Sequence, residues 1–154
     1  MRISYLKDRP DLAAQLIPGL IEHWRYVFPL DTFESRAAKF RAHLNYDDLP
    51  IAWVAHDGGI ALGTAALRAT DLEGREDLGP WLGGVYTEPR FRRQGIASQL
   101  CRAVEAKAAD LGIRKLYLFT HGRESLYASL GWVQTESVIW HGHDCSIMQK
   151  VPRP

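Results

Sequence analysis

Cysteine is scarce in this chain of 154 residues, with Cys101 and Cys145 the only two. Two thiols cannot build the disulfide framework of a small secreted scaffold, and they lack the paired spacing of a structural zinc site. A reducing, cytoplasmic setting is therefore the expectation. An excess of charge is missing too: 19 Lys and Arg stand against 18 Asp and Glu, leaving a net +1. Without a global field, neither nucleic acid nor a membrane surface is expected as the main partner. No run approaches the ~18 consecutive apolar residues of a spanning helix. The first residues, Met1 to Asp8, lack the apolar stretch of a signal peptide, so a soluble, unprocessed protein is expected. Repeats, low-complexity tracts and Ser/Gly linkers are absent as well, and a single domain over residues 1–154 is expected.

What is present is 46% hydrophobic content in short segments with alternating periods, enough for one filled core. Asp11 to about Trp24 has helical spacing through Leu12, Leu16 and Leu20, and Pro18-Gly19 is expected to kink or split it. Asp31, with Glu34 three residues on, reads as the N-cap of a second helix whose face is Phe33, Ala37, Phe40 and Leu44. Ile51 to Ala55 and Ile60 to about Leu67 read as a hairpin around Asp57-Gly58-Gly59, and Leu82 to Thr87 as a further strand. From Ile96, the positions Leu100, Ala103, Val104, Ala108 and Leu111 trace a helical stripe that ends at Gly112. Lys115 to Thr120 alternates as a strand, Glu124 to Leu130 is a short helix, and Trp132 to Trp140 with Asp144 to Gln149 suggests a closing hairpin. With Arg2 to Leu6 as an opening strand, the order predicts an α/β fold: a mixed, mostly antiparallel sheet of about six or seven strands flanked by about four helices.

The chemistry concentrates between the strand ending at Thr87 and the helix opening at Ile96. There Glu88-Pro89-Arg90-Phe91-Arg92-Arg93-Gln94-Gly95 feeds a basic loop into a helix N-terminus. The first N–H groups of a helix have no intrahelical partner and sit at the positive end of its dipole, so this is an anion site in outline. Gly95 admits close backbone approach. The pattern Val85-Tyr86-Thr87-x-Pro89-x-x-Arg92-x-x-Gly95-Ile96-Ala97 resembles the acetyl-coenzyme A signature of the GCN5-related N-acetyltransferases (GNAT). Downstream, Ser125-Leu126-Tyr127-Ala128-Ser129-Leu130-Gly131-Trp132 resembles the same family's leucine-tyrosine, leucine-glycine-aromatic segment.

The resemblance implies a GNAT-type fold and an N-acetyltransferase that moves acetyl from acetyl-CoA to a primary amine of a small molecule or peptide, by direct attack in a ternary complex and with no metal. It implies that Val85, Tyr86 and Thr87 offer main-chain hydrogen bonds to the pantetheine arm and thioester, on a strand splayed from its neighbour. Amides of Arg93, Gln94, Gly95, Ile96, Ala97 and Ser98 would meet the pyrophosphate, with the Arg92 and Arg93 side chains as charge partners. Tyr127 takes the general-acid position; the alternative for it is a core aromatic. Thr120 stands where many relatives have asparagine, and a hydroxyl replaces only part of that group's hydrogen bonding. A homodimer is compatible with the family.

The acceptor half is less explicit. An alkyl ammonium of pKa about 10.4 must give up about 4.6 kcal/mol to present a lone pair at pH 7, so a base or water-positioning group is required. The strand position where some relatives place a glutamate falls at or near Trp81. His121, at a strand end, is the first candidate, with an ordinary surface histidine as its alternative. Glu22, His23 and Trp24 are candidates to line the acceptor pocket, and the acid-rich loop Asp71 to Asp77 either steers a cationic acceptor or is simply solvated. His141 to Cys145 contains metal-competent residue types, but Gly142 reads as a turn that separates them, and no metal is expected. Cys101 reads as a buried hydrophobe. Two rivals remain: a non-catalytic acyl-CoA binding or sensing module, and an acetyltransferase acting on aminoacylated transfer RNA, which the near-neutral charge disfavours.

Overall fold

A computed structural model describes residues 1–154. Seven strands form one sheet: β1 (Arg2–Tyr5), β2 (Ile51–Asp57), β3 (Ile60–Arg68), β4 (Trp81–Thr87), β5 (Leu116–Thr120), β6 (Val133–Trp140) and β7 (His143–Lys150), in the order β1-β2-β3-β4-β5-β7-β6. Only the β4–β5 pair is parallel. Four helices flank the sheet: α1 (Ala13–Trp24), α2 (Phe33–Ala42), α3 (Ile96–Asp110) and α4 (Glu124–Ser129).

The alternation of strand side chains creates two cores. Ile51, Trp53 and Ala55 of β2 join Leu100, Val104 and Ala108 of α3 on one face. Ala52 and Val54, the intervening residues, join Leu12, Leu16 and Leu20 beside α1 on the other. Of the α3 stripe read from sequence, Leu100, Val104 and Ala108 are buried and Ala103 half-buried, while Leu111 at the helix end is exposed; Gly112 follows it with φ of 77°.

Two local expectations change. Pro18 lies inside α1, which runs unbroken past it after a 3₁₀ turn at Pro10–Leu12, because Leu16, Ile17 and Leu20 are buried and hold the helix against the sheet. The N-cap of α2 is Thr32, not Asp31. Thr32 Oγ1 accepts from the Ser35 N–H, and Ser35 Oγ accepts from the Thr32 N–H. Asp31 instead pairs with Arg36 at 2.8 Å. Of the predicted α2 face, Phe40 and Leu44 pack against the α1-side core and Ala37 is half-buried, while Phe33 at the first turn is exposed; Arg36 is the one buried residue of the helix.

One irregularity positions the site. Thr64 pairs with Tyr86 and Ala66 with Gly83, so Gly84 and Val85 of β4 stand against Ala65 alone. This is a β-bulge, and Gly84 takes φ of 60° within it. On its other edge, β4 pairs with β5 only at Trp81–Tyr117. Beyond that pair the strands part, and the edge of β4 from Leu82 to Thr87 keeps backbone groups that a ladder would have consumed.

Candidate active site

A cavity of about 750 Å³ lies along the free edge of β4, and its wall extends from the loop before α3 to α2. At the loop end, Arg92, Arg93, Gly95, Ile96, Ala97 and Ser98 line it, as do Val85, Tyr86, Thr87 and Thr120. Arg93 adopts φ of 64° and Gly95 φ of 76°, left-handed values that curl the loop into the α3 N-terminus. For a non-glycine such as Arg93 that conformation costs about 1 kcal/mol or more, the kind of strain retained where amides must converge on an anion. A Cβ on Gly95 would meet no atom within 4 Å, so its role is its backbone conformation and the open approach to its amide. Arg92 Nε donates to the Thr87 carbonyl at 3.1 Å, tying its guanidinium to the end of β4. Thr87 Oγ1 is buried without a hydrogen-bond partner. An extended ligand with a polar arm and a phosphate end fits these residues. Gln94 is the exception among the loop residues: it is exposed and off the cavity wall.

Tyr127, at 8% exposure, belongs to the α3-side core and also lines the cavity. Burial raises its phenol well above the ordinary value, with Cys101 as a second contributor, and keeps it protonated at neutral pH. Cys101 itself is buried in that core and pushed up to about 12 by desolvation, a neutral thiol. His121 is exposed at the cavity rim, where its Nδ1 lies 2.7 Å from the Asp144 carbonyl. A carbonyl only accepts, so Nδ1 carries the proton and Nε2 of the neutral ring keeps a lone pair. The His143 ring lies 5.1 Å from that of His121, tilted by 58°, and meets Tyr26 edge-on at 5.0 Å. The turn that brings it there is His141-Gly142, between the paired Trp140 and His143.

The candidates for the acceptor side separate. Trp24 and His23 line the cavity, and burial followed by Arg92, Arg123 and Arg36 holds the His23 imidazole below its ordinary pKa. Glu22 does not line it; the side chain points to solvent and pairs with Arg25 at 2.9 Å. Trp81, expected among the acceptor-side residues, does not reach the cavity: it is 0% exposed, donates from Nε1 to the Leu78 carbonyl, and packs with Leu72 and Ile147 at the fork of β4 and β5. From the acid-rich loop only Asp71 reaches the cavity wall. Arg75 is taken up by Asp77 and Glu136.

Sequence reading missed the far wall. Arg36, Lys39, Phe40 and His43 on and after α2, together with Arg68 and Phe28, line the cavity. His43 links them. Its Nδ1–H donates to the Lys39 carbonyl at 2.7 Å, its Nε2 accepts from Arg68 Nε at 2.9 Å, and burial with Arg68 lowers its pKa to about 4. Arg68 Nη1 in turn donates to Asp71 at 2.9 Å. The spacing 36, 39–40, 43 is a helical stripe and was available as a signal, but charged residues on a helix ordinarily face water.

Comparison with known proteins agrees with this geometry. The acetyltransferase (GNAT) domain family matches residues 49–134, from before β2 to β6. Aminoglycoside N(6')-acetyltransferase type 1 of Salmonella enteritidis is 28% identical over 137 residues, covering 81% of this chain and 93% of that protein. Among solved structures, an N-acetyltransferase from Staphylococcus aureus Mu50 superposes with a TM-score of 0.76 at 18% identity, over 99% of this chain and 98% of that one. An aminoglycoside 6'-N-acetyltransferase complexed with coenzyme A superposes at 0.72 and 20% identity, over 100% and 98%. The chain belongs to the GNAT family and is an acetyl-CoA-dependent N-acetyltransferase, transferring acetyl to an amine.

Proposed function

We propose that residues 1–154 act as one catalytic domain that acetylates a primary amine of a small molecule by direct attack, with donor and acceptor bound together and Tyr127 as the acid. The observation that carries this reading is the Tyr127 phenol on the wall of the cavity that runs along the unpaired edge of β4. A relative named for acetylating an aminoglycoside amine supports a small-molecule acceptor. Acetyl-CoA supplies an activated acyl group. Backbone N–H groups at Val85 to Thr87 hold its arm and polarise the carbonyl, and the amides from Arg93 to Ser98 hold the phosphates. The acceptor nitrogen forms its C–N bond as the C–S bond breaks, and Tyr127 gives its proton to the departing sulfur. His121 Nε2, directly or through a water, first takes a proton from the acceptor ammonium to free the lone pair that attacks, and the second proton lost from the nitrogen restores the Tyr127 phenol. Arg92 and Arg93 neutralise phosphate charge.

Coenzyme A release from acetyl-CoA over a panel of small amines tests the reading, with Tyr127→Phe alongside. Turnover by the wild-type chain and a depressed kcat in the variant are expected. Binding of acetyl-CoA with no turnover on any amine would instead favour the non-catalytic acyl-CoA module.

A further inference from the structure

The wall farthest from the phosphate loop has an uneven charge that the reaction itself does not require. Arg68 lies opposite Trp81 at the start of β4, and Arg92 contacts Thr87 at its end. The Arg68 guanidinium reaches along the strand to Gly84, three residues short of Thr87, and a rise of ~3.3 Å per residue puts the two contacts about 10 Å apart. The cations near Arg68 are therefore a second group, distinct from Arg92 and Arg93. They are Arg36, Lys39 and Arg68, and Asp71 is the only carboxylate among all the cavity-lining residues. His43 adds no charge, since both ring nitrogens are engaged as a neutral imidazole requires.

These cations are short of acceptors. Arg36 is 8% exposed, and its buried Nε has no hydrogen-bond partner. The Asp31 carboxylate, 2.8 Å from Nη2, takes up that nitrogen and part of the charge, leaving Nε unmet. Burying a guanidinium with an N–H group unmet is costly, and an oxyanion is the chemistry that would satisfy it. Lys39 makes no side-chain hydrogen bond and stands near the face of Phe28, 5.5 Å from its centroid. Lys39 is an exposed residue, and partial desolvation first, then Arg68 and Arg36, hold its ammonium below the ordinary pKa. Arg68 has Nε and Nη1 engaged, while Nη2 lies over the bulge, 2.8 Å from where a Cβ on Gly84 would stand. Beside this group Phe28 also approaches Arg36 at 5.8 Å and Trp140 at 5.9 Å, giving the cationic corner an aromatic floor.

We propose that the acceptor is an oxyanion-bearing amine, whose carboxylate or phosphate is held by Arg36, Lys39 and Arg68 and whose apolar body lies against Phe28 and Trp140, and that it is not a polycation. This rests on the amine-acetylating reading above and narrows it. A polycationic acceptor would bring further positive charge against three cations with one carboxylate to receive it.

The full chain with acetyl-CoA is assayed on matched probes: phenylalanine against phenylalaninamide, phosphoethanolamine against ethanolamine, and tobramycin as the polycation. The expected result is a kcat/KM about 10-fold or more higher for the oxyanion-bearing member of at least one pair, and no preference for tobramycin. Which pair responds separates carboxylate from phosphate. Lys39→Glu should reduce that preference about 10-fold while leaving the KM for acetyl-CoA unchanged, and Arg36→Met should act in the same direction. Preference for tobramycin or the neutral members overturns the proposal. So does a preference untouched by Lys39→Glu, or a Lys39→Glu effect that falls on acetyl-CoA instead. If no amine is turned over, the catalytic reading fails, and charge selection is read by calorimetry with coenzyme A present. Tighter binding of N-acetylphenylalanine than of its amide supports the proposal, and equal or weaker binding overturns it.

Discussion

Tyr127 belongs to two environments at once, a ring packed 6.5 Å from Trp132 in the core and a phenol on the cavity wall. Because that phenol makes no hydrogen bond that orders the fold, Tyr127→Phe should keep the unfolding free energy from urea titration within about 0.5 kcal/mol while kcat falls about 100-fold. An unchanged kcat at saturating substrate would remove Tyr127 from the acid role. His43 gives a prediction in pH. Its folded pKa of about 4 lies below the ordinary 6.5, so the unfolded chain binds the extra proton between those values. Its contribution to stability is therefore full above pH ~6.5 and is lost as pH falls toward 4, by about 1–2 kcal/mol between pH 7 and pH 5. Urea unfolding at the two pH values should show a smaller difference in His43→Gln than in the wild type. At this scale the loop before α3 was legible as an anion site in outline, because helix-start amides follow from local order, whereas Tyr127 was singled out only by the resemblance of its segment to the family. Arg36 was not legible. Its burial depends on Asp31 behind it and Phe28 beside it, which only the folded chain assembles.

The bulge in β4 shows what an element adds to its residues. Gly84 at φ of 60° lets two residues answer one of β3, which turns the free edge of the strand toward the cavity. Alanine tolerates that conformation at a cost of about 1 kcal/mol. Gly58, in the β2–β3 turn, has a similar φ of 58° with open space around it. Gly84→Ala, whose Cβ would also press on Arg68 Nη2, should lose more stability by urea unfolding than Gly58→Ala, and only Gly84→Ala should raise the KM for acetyl-CoA, several-fold. Equal KM values would mean that the bulge does not set the binding edge. For α2, Thr32→Ala should cost about 1 kcal/mol through loss of the reciprocal cap with Ser35. Most elements were readable from period and punctuation. The hairpin at Gly58-Gly59 and the α3 stripe followed from side-chain spacing alone. The continuity of α1 through Pro18 did not, since packing of Leu16, Ile17 and Leu20 outweighs the lost hydrogen bond. The shift of the α2 cap by one residue did not either, because Asp31 is drawn off by Arg36.

Across the whole molecule, the sheet is two parts, β1–β4 and β5–β7, joined at the strand level by the single Trp81–Tyr117 pair. The buried Trp81 sits at that fork, and the cavity opens along the parted strands beyond it. A donor lying along the β4 edge with its phosphates on the α3 N-terminus would bridge what the backbone leaves unjoined. Any ligand that binds only the folded state stabilises it by mass action, about 2.7 kcal/mol at a hundredfold excess over Kd, or roughly 5–10 °C in a chain of this size. Acetyl-CoA should produce such a shift. Its location is the stronger test. Amide exchange should slow at residues 85–87 and 93–98, and remain unchanged in the β2–β3 hairpin, which already has its full ladder. Pantetheine, lacking the phosphates, should protect residues 85–87 without 93–98, and should give a smaller thermal shift. Protection spread evenly over the sheet, or confined to the hairpin side, would mean that the donor does not occupy the gap. The division of labour drawn between the β4 edge and the phosphate loop would then be wrong.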